Sequence, residues 1–233
     1  MPSKKDLCYD DLKRRVLSLD FAPGSGLDEA SLSQSYGLSR TPLREVFQRL
    51  AGEGYLSLET NRGAVVSSMD LGSMRCFFET APLIYASMAR LAAENRTSTQ
   101  LDMLKEIQRE FLAATSAGDA GAAAICNHRF HAQIGEMAQN QYLLPSLNRM
   151  LIDHTRLSQT FYRPASPSES VLVVKAGQHH DEMISAFEAR EAALAVDITL
   201  QHWDLSRDRL ERFVRPDPLP IDIISLKDKR NAL

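Results

Sequence analysis

Apolar residues in the first third of the chain recur at helical spacing in three short runs. Leu12, Val16 and Leu19 mark a helix over 10–19, and the "APGSG" that follows breaks it. Asp28 is a good N-cap and Gly37 a good stop for a second helix carrying Leu32 and Tyr36. Leu43, Val46, Phe47 and Leu50 form the i, i+3, i+4, i+7 stripe of a third. Ser39 or Thr41 caps that helix, and Pro42 sits in its first turn, where a missing N–H costs little. "GYLSLE" and "AVVSS" then read as two short strands around "TNRG". Three helices and a two-stranded hairpin predict a winged helix-turn-helix over 1–69.

From Asp70 the pattern changes. Ala, Leu, Met and charged residues dominate, and the spacing predicts helices over 70–94, 98–117, 119–139, 141–163, 168–190 and 191–214. Pro82 should kink or offset the first of these. The fold class is therefore mainly α: a winged helix-turn-helix followed by an all-α bundle over 70–215. The proline-rich stretch from Arg215 reads as an extended tail over 216–233.

Composition changes this picture little. Lys and Arg number 27 against 30 Asp and Glu, so bulk charge does not advertise a nucleic-acid partner. Cys8, Cys76 and Cys126 are widely spaced, which suits a reducing cytoplasm and argues against a cysteine zinc site. No apolar run is long enough for a bilayer, and the N-terminus carries no signal-peptide pattern, so no membrane partner is expected.

Candidate chemistry lies in two places. Arg40, Arg44 and Gln48 line one face of the third helix, opposite its apolar stripe. Arginine there can donate two hydrogen bonds to guanine O6 and N7 in a major groove. Ser39, Thr41 and the free N–H groups at the helix start can hold a phosphate. Arg62, beside Gly63 at the hairpin tip, can enter the neighbouring minor groove. In the helical half, Asn127 and His131, His180, and His202 lie on the apolar faces of three different helices. Each histidine alone reads as a hydrogen-bonded core residue, but three together point to a shared divalent metal. His128, His154 and His179 fall off these faces and read as having no such role.

The stretch "FAPGSGLDEASLSQSYGLSRTPLREVFQRLAGEGYLSLETNRGAVV" resembles the N-terminal domain of GntR-family bacterial transcription regulators. That resemblance implies operator contacts by Ser39, Arg40, Thr41 and Arg44 from the recognition helix and by Arg62 and Gly63 from the wing. It also implies a homodimer on a palindromic double-stranded site. "NHRFHAQIGEMAQN", "HHDEMISAF" and "AVDITLQHW" resemble the helical FCD domain of the FadR-type branch, and six helices favour the VanR-like form. In that branch a D-x-x-x-H pair and two later histidines hold a metal in the effector pocket. Here Asn127 stands at the Asp position, with His131, His180 and His202 at the others; the metal expected is Zn or Ni. Relatives also carry E-x-R-x-x-L-E on the first helix of the bundle. This chain keeps Glu79 but has Ala81 and Tyr85 at the Arg and second Glu positions. Arg156 is the candidate substitute for the missing arginine in the effector pocket.

The reading that follows is a cytoplasmic, DNA-binding regulator, a repressor rather than an enzyme, controlled by a small organic acid at or beside the metal. Its competitors are a regulator for which the metal is itself the signal, a metallohydrolase fused to a DNA-binding head, and a dimer with a purely structural metal.

Overall fold

The computed structural model describes residues 2–211; the tail expected over 216–233 lies outside them. The chain opens with α1 (Lys4–Leu17), α2 (Glu29–Tyr36) and α3 (Arg40–Gly52), followed by the hairpin β1 (Leu56–Glu59) and β2 (Gly63–Val66). The first helix begins six residues earlier than its apolar spacing predicts. Ser3 and Asp6 form a capping box that satisfies the free N–H groups of the first turn. Asp28 and Gly37 delimit α2 as expected, the carboxylate accepting from Ala30 N and the glycine adopting φ +58°. Ser39 occupies the N-cap position of α3 but makes no side-chain capping bond.

The wing is antiparallel, running from Leu56 opposite Val66 to Glu59 opposite Gly63. The loop before α2 pairs with its outer edge, Leu27 N donating to Ala64 O and Val66 N to Ser25 O. Leu12, Val16, Leu43, Val46, Phe47, Leu50 and Val66 fill the head's core.

Asp70 caps α4 (Leu71–Asn95), which runs on through Pro82 as one helix. The bundle continues with α5 (Ser98–Ser116), α6 (Ala120–Ala138), α7 (Leu144–Phe161), α8 (Pro167–Ala189) and α9 (Ala192–Glu211). Its core gathers Phe77 and Met88 from α4, Phe130 and Met137 from α6, Leu147 and Leu151 from α7, Met183 and Phe187 from α8, and Trp203 from α9. None of the helices among the described residues is long and apolar enough to cross a membrane.

Helix α7 is buried on every side from Met150 to Gln159, although six of those ten residues are polar or charged. It lies between the head and the rest of the bundle and bonds to both. Ile152, fully buried, packs into the head's own core. Gln159 Nε2 donates to Leu17 O at the end of α1 (3.2 Å), and Arg156 Nη1 donates to Ser67 O just past the wing (2.7 Å). Asp153 takes an ion pair from Arg156 and another from Arg149 at 2.9 Å. Arg149 in turn lies across Gly54, whose φ of +90° suits glycine.

Candidate functional site

On the head, the third helix turns its apolar stripe inward and leaves Ser39, Arg40, Thr41, Arg44 and Gln48 exposed. Arg62 and Gly63 are exposed at the wing tip, where Gly63 takes φ +70° to close the turn. The two outer arginines are not idle. Arg44 makes a two-pronged ion pair with Glu29 of α2, Nε at 2.9 Å and Nη2 at 3.2 Å. Arg62 donates to Glu59 and to the carbonyl of Gly24, which ties the wing tip to the loop before α2. Both guanidiniums are therefore exposed, each held by a partner it could exchange.

The second cluster lies inside the bundle. His131 on α6, His180 on α8 and His202 on α9 are all buried. Among the described residues, these three bring one donor atom each to within 4.8 Å of one another. Asn127, one helical turn before His131, is buried with them. Among the described residues, Asn127 Oδ1, His131 Nε2, His180 Nε2 and His202 Nδ1 have no hydrogen-bond partner. Buried polar atoms are nearly always paired, so this convergence calls for an occupant.

The tautomer of His180 follows from its neighbours. Gln108 Nε2 donates to Gly177 O (3.0 Å) and to Asp181 Oδ1 (2.9 Å), which orients the amide. Gln108 Oε1 can then only accept, so the 2.9 Å contact is donation by His180 Nδ1–H. The lone pair on Nε2 is left directed at the cluster, the arrangement found behind metal-bound histidines. The imidazole stacks on Phe130 at 3.9 Å between ring centres, with Phe111 on another side. Burial and the other histidines hold His131 and His180 well below the ordinary histidine range and bring His202 to about 3. All three are neutral at pH 7, as metal ligation requires.

Sequence reasoning missed two members of this neighbourhood: His179, buried with its ring centre 6.0 Å from that of His202, and His154. His154 of α7 is buried, its ring centre 5.4 Å from that of His131, and its Nδ1 lies 2.7 Å from the Tyr85 hydroxyl. It falls off an apolar face only because α7 has no exposed face to contrast with. Tyr85 in turn packs against His131 and Trp203.

Arg156 requires a correction. It is fully buried, but its guanidinium is held by Asp153 and Ser67 O at the seam between head and bundle. The cavity it lines, about 270 Å³ with Leu19, Met69, Met74 and Leu157, belongs to that seam and includes none of the clustered histidines. Its charge is already matched by Asp153, so it does not replace an acid-binding arginine at the position of Ala81. A larger cavity of about 500 Å³ includes none of the clustered histidines either, but its wall reaches the residues beside His180. Tyr162, Arg163, Leu112 and Val173 line it together with Gly177 and Asp181, the two residues that hold Gln108 against His180.

Comparison with known proteins places both halves. Residues 5–66 match the profile described as bacterial regulatory proteins, gntR family, and residues 78–205 match the FCD domain. The chain is 28% identical over 134 residues to the Nta operon transcriptional regulator of Aminobacter aminovorans, covering 57% of this chain and 62% of that protein. It is 24% identical over 194 residues to the HTH-type transcriptional repressor RspR of Escherichia coli K12, covering 83% of each. It therefore matches less than two thirds of the first relative's length and more than four fifths of the second's. Among solved structures, E. coli McbR/YncC superposes with a TM-score of 0.76 at 19% identity, covering 92% of this chain and all of that one.

Proposed function

The chain belongs to the gntR family of bacterial regulatory proteins, with an FCD domain as its helical half, and from that premise we propose a metal- and acid-controlled repressor. That it is a transcriptional regulator, and not the metallohydrolase its histidines could suggest, follows from membership. The finer reading concerns what it senses. Asn127, His131, His180 and His202 hold a divalent ion, zinc or nickel, and a small organic acid binds at or beside it. The observation that carries this reading is the convergence of three buried histidine donor atoms from three helices, with the unpartnered Asn127 Oδ1 one helical turn before His131.

When bound, the ion supplies a positive centre able to accept a carboxylate oxygen. The chain's own residues do the rest. Gln108 fixes His180 with its Nε2 lone pair inward, and Phe111 and Phe130 hold the ring and exclude water. Ser39, Arg40, Thr41 and Arg44 meet operator DNA in the major groove, while Arg62 and Gly63 meet it from the wing. Two copies of the chain place two such heads on a palindromic site. Acid binding shifts operator affinity to the extent that it favours one arrangement of the heads over the other.

The test is metal content by elemental mass spectrometry. Untagged protein should carry about one divalent ion per chain, and the His131→Ala/His180→Ala/His202→Ala variant none. His131→Ala alone should lose more metal than His128→Ala. Absence of metal from the unaltered protein, even after incubation with zinc and desalting, would remove this reading of the site.

A further inference from the structure

The donor set in the bundle carries no charge. An imidazole ligates a metal only in its neutral form, and an amide oxygen is neutral, so His131, His180, His202 and Asn127 contribute no negative charge to an ion held there. The wall behind them is aromatic: Phe111, Phe130 and Tyr85. The nearest carboxylate in the hydrogen-bond network is Asp181, which reaches His180 only through Gln108. Asp153, on the adjoining helix, is neutralised by Arg149 and Arg156. A divalent ion placed there would carry its full charge in a fully buried site, and an uncompensated buried charge is strongly disfavoured.

We infer that Asn127 makes metal retention depend on an anion, so that the divalent ion and a carboxylate enter this centre as a pair. This rests on the metal reading above and extends it. An aspartate at position 127 would supply one negative charge permanently and leave the ion bound with or without the acid. The amide keeps an oxygen donor in place but withholds the charge, and below about pH 7, where a zinc-bound water keeps its proton, the missing charge comes from the ligand. The class of ligand follows: a compact mono- or dicarboxylate whose oxygen enters the inner sphere of the ion, with no arginine required to hold it. Position 81 is alanine, so no arginine there competes with the ion for the acid. By linkage the acid raises affinity for the ion by the same factor as the ion raises affinity for the acid. The regulator then responds most strongly when the two are present together.

The test measures zinc affinity of the full-length protein by competition with a chromophoric chelator, in sodium acetate and in sodium perchlorate at equal ionic strength and pH. Acetate complexes free zinc weakly and so works against the expected result. The unaltered protein should bind zinc about tenfold more tightly in acetate. Asn127→Asp should bind more tightly than the unaltered protein in perchlorate, with the gain from acetate reduced to less than about threefold. Equal zinc affinity of the unaltered protein in the two salts would overturn the inference while leaving the metal site standing. No zinc binding in either salt would overturn the metal reading and the inference with it. The comparison of salts needs no variant, so a poorly folding Asn127→Asp would not blunt it.

Discussion

A buried imidazole is tolerated while it stays neutral, and six histidines set a pH limit on this bundle. Burial brings His128 and His154 to about 4 and His202 to about 3, lowers His179, and holds His131 and His180 well below the ordinary 6.5. The unfolded chain takes up protons on these residues below about pH 6.5 and the folded chain does not, so the unfolded state gains as pH falls. The metal-free protein should therefore hold its full stability above that pH and lose it progressively towards pH 4. Urea midpoints at pH 7.5, 6 and 5 would show the fall, and His154→Gln should make it shallower; a flat profile would contradict the burial of these rings. At this scale the sequence was partly legible. His131, His180 and His202 were found because each recurs on an apolar face with partners at helical spacing. His154 was set aside because it falls off an apolar face, and Arg156 was placed in the effector pocket; α7 is buried all round here and holds Arg156 at the seam with the head.

Secondary-structure elements were more legible than individual contacts. Within the described residues the bundle helices fell where periodicity put them, and the wing formed around its predicted turn. The start of α1 was missed because its first turn is held by a polar capping box, which leaves no apolar signature. Pro82 does not interrupt α4. What periodicity could not reveal was the role of α7 as the element shared by both halves. Two substitutions probe that role. A Cβ at Gly54 would come within 2.4 Å of Arg149 Cδ, at a φ of +90° that side chains avoid. Gly54→Ala should cost about 1–3 kcal/mol in chemical denaturation. Asp153→Ala leaves the buried guanidinium of Arg156 without a counter-charge and should cost about 3–5 kcal/mol, with Asp153→Asn losing less because it keeps an acceptor. A loss under 1 kcal/mol for Asp153→Ala would mean that α7 does not depend on this ion pair.

For the molecule as a whole, the near balance of 27 basic and 30 acidic side chains leaves DNA binding to a few presented groups. Arg44→Ala should cost about 1–3 kcal/mol in binding to an operator selected from random DNA, while leaving metal content and oligomeric state unchanged. Fluorescence anisotropy at fixed salt would measure it, and unaltered affinity would take Arg44 off the reading surface. Glu29→Gln is the converse experiment. Freed from its carboxylate partner, Arg44 should bind selected and random DNA more tightly, with the larger gain on random DNA, because the free head no longer carries an internal rival for the guanidinium.

Ile152 has a consequence for how such proteins are recombined. The side chain stands in the hydrophobic core of the reading head, yet it lies more than eighty residues downstream of the coil at 67–70 that separates the two halves. A chimera spliced at that coil would carry the head away from the plug that completes it and present a foreign residue at the vacated socket. Heads should therefore transplant between relatives only when the middle turns of α7 travel with them, and the inherited unit is a head together with a distant piece of helix.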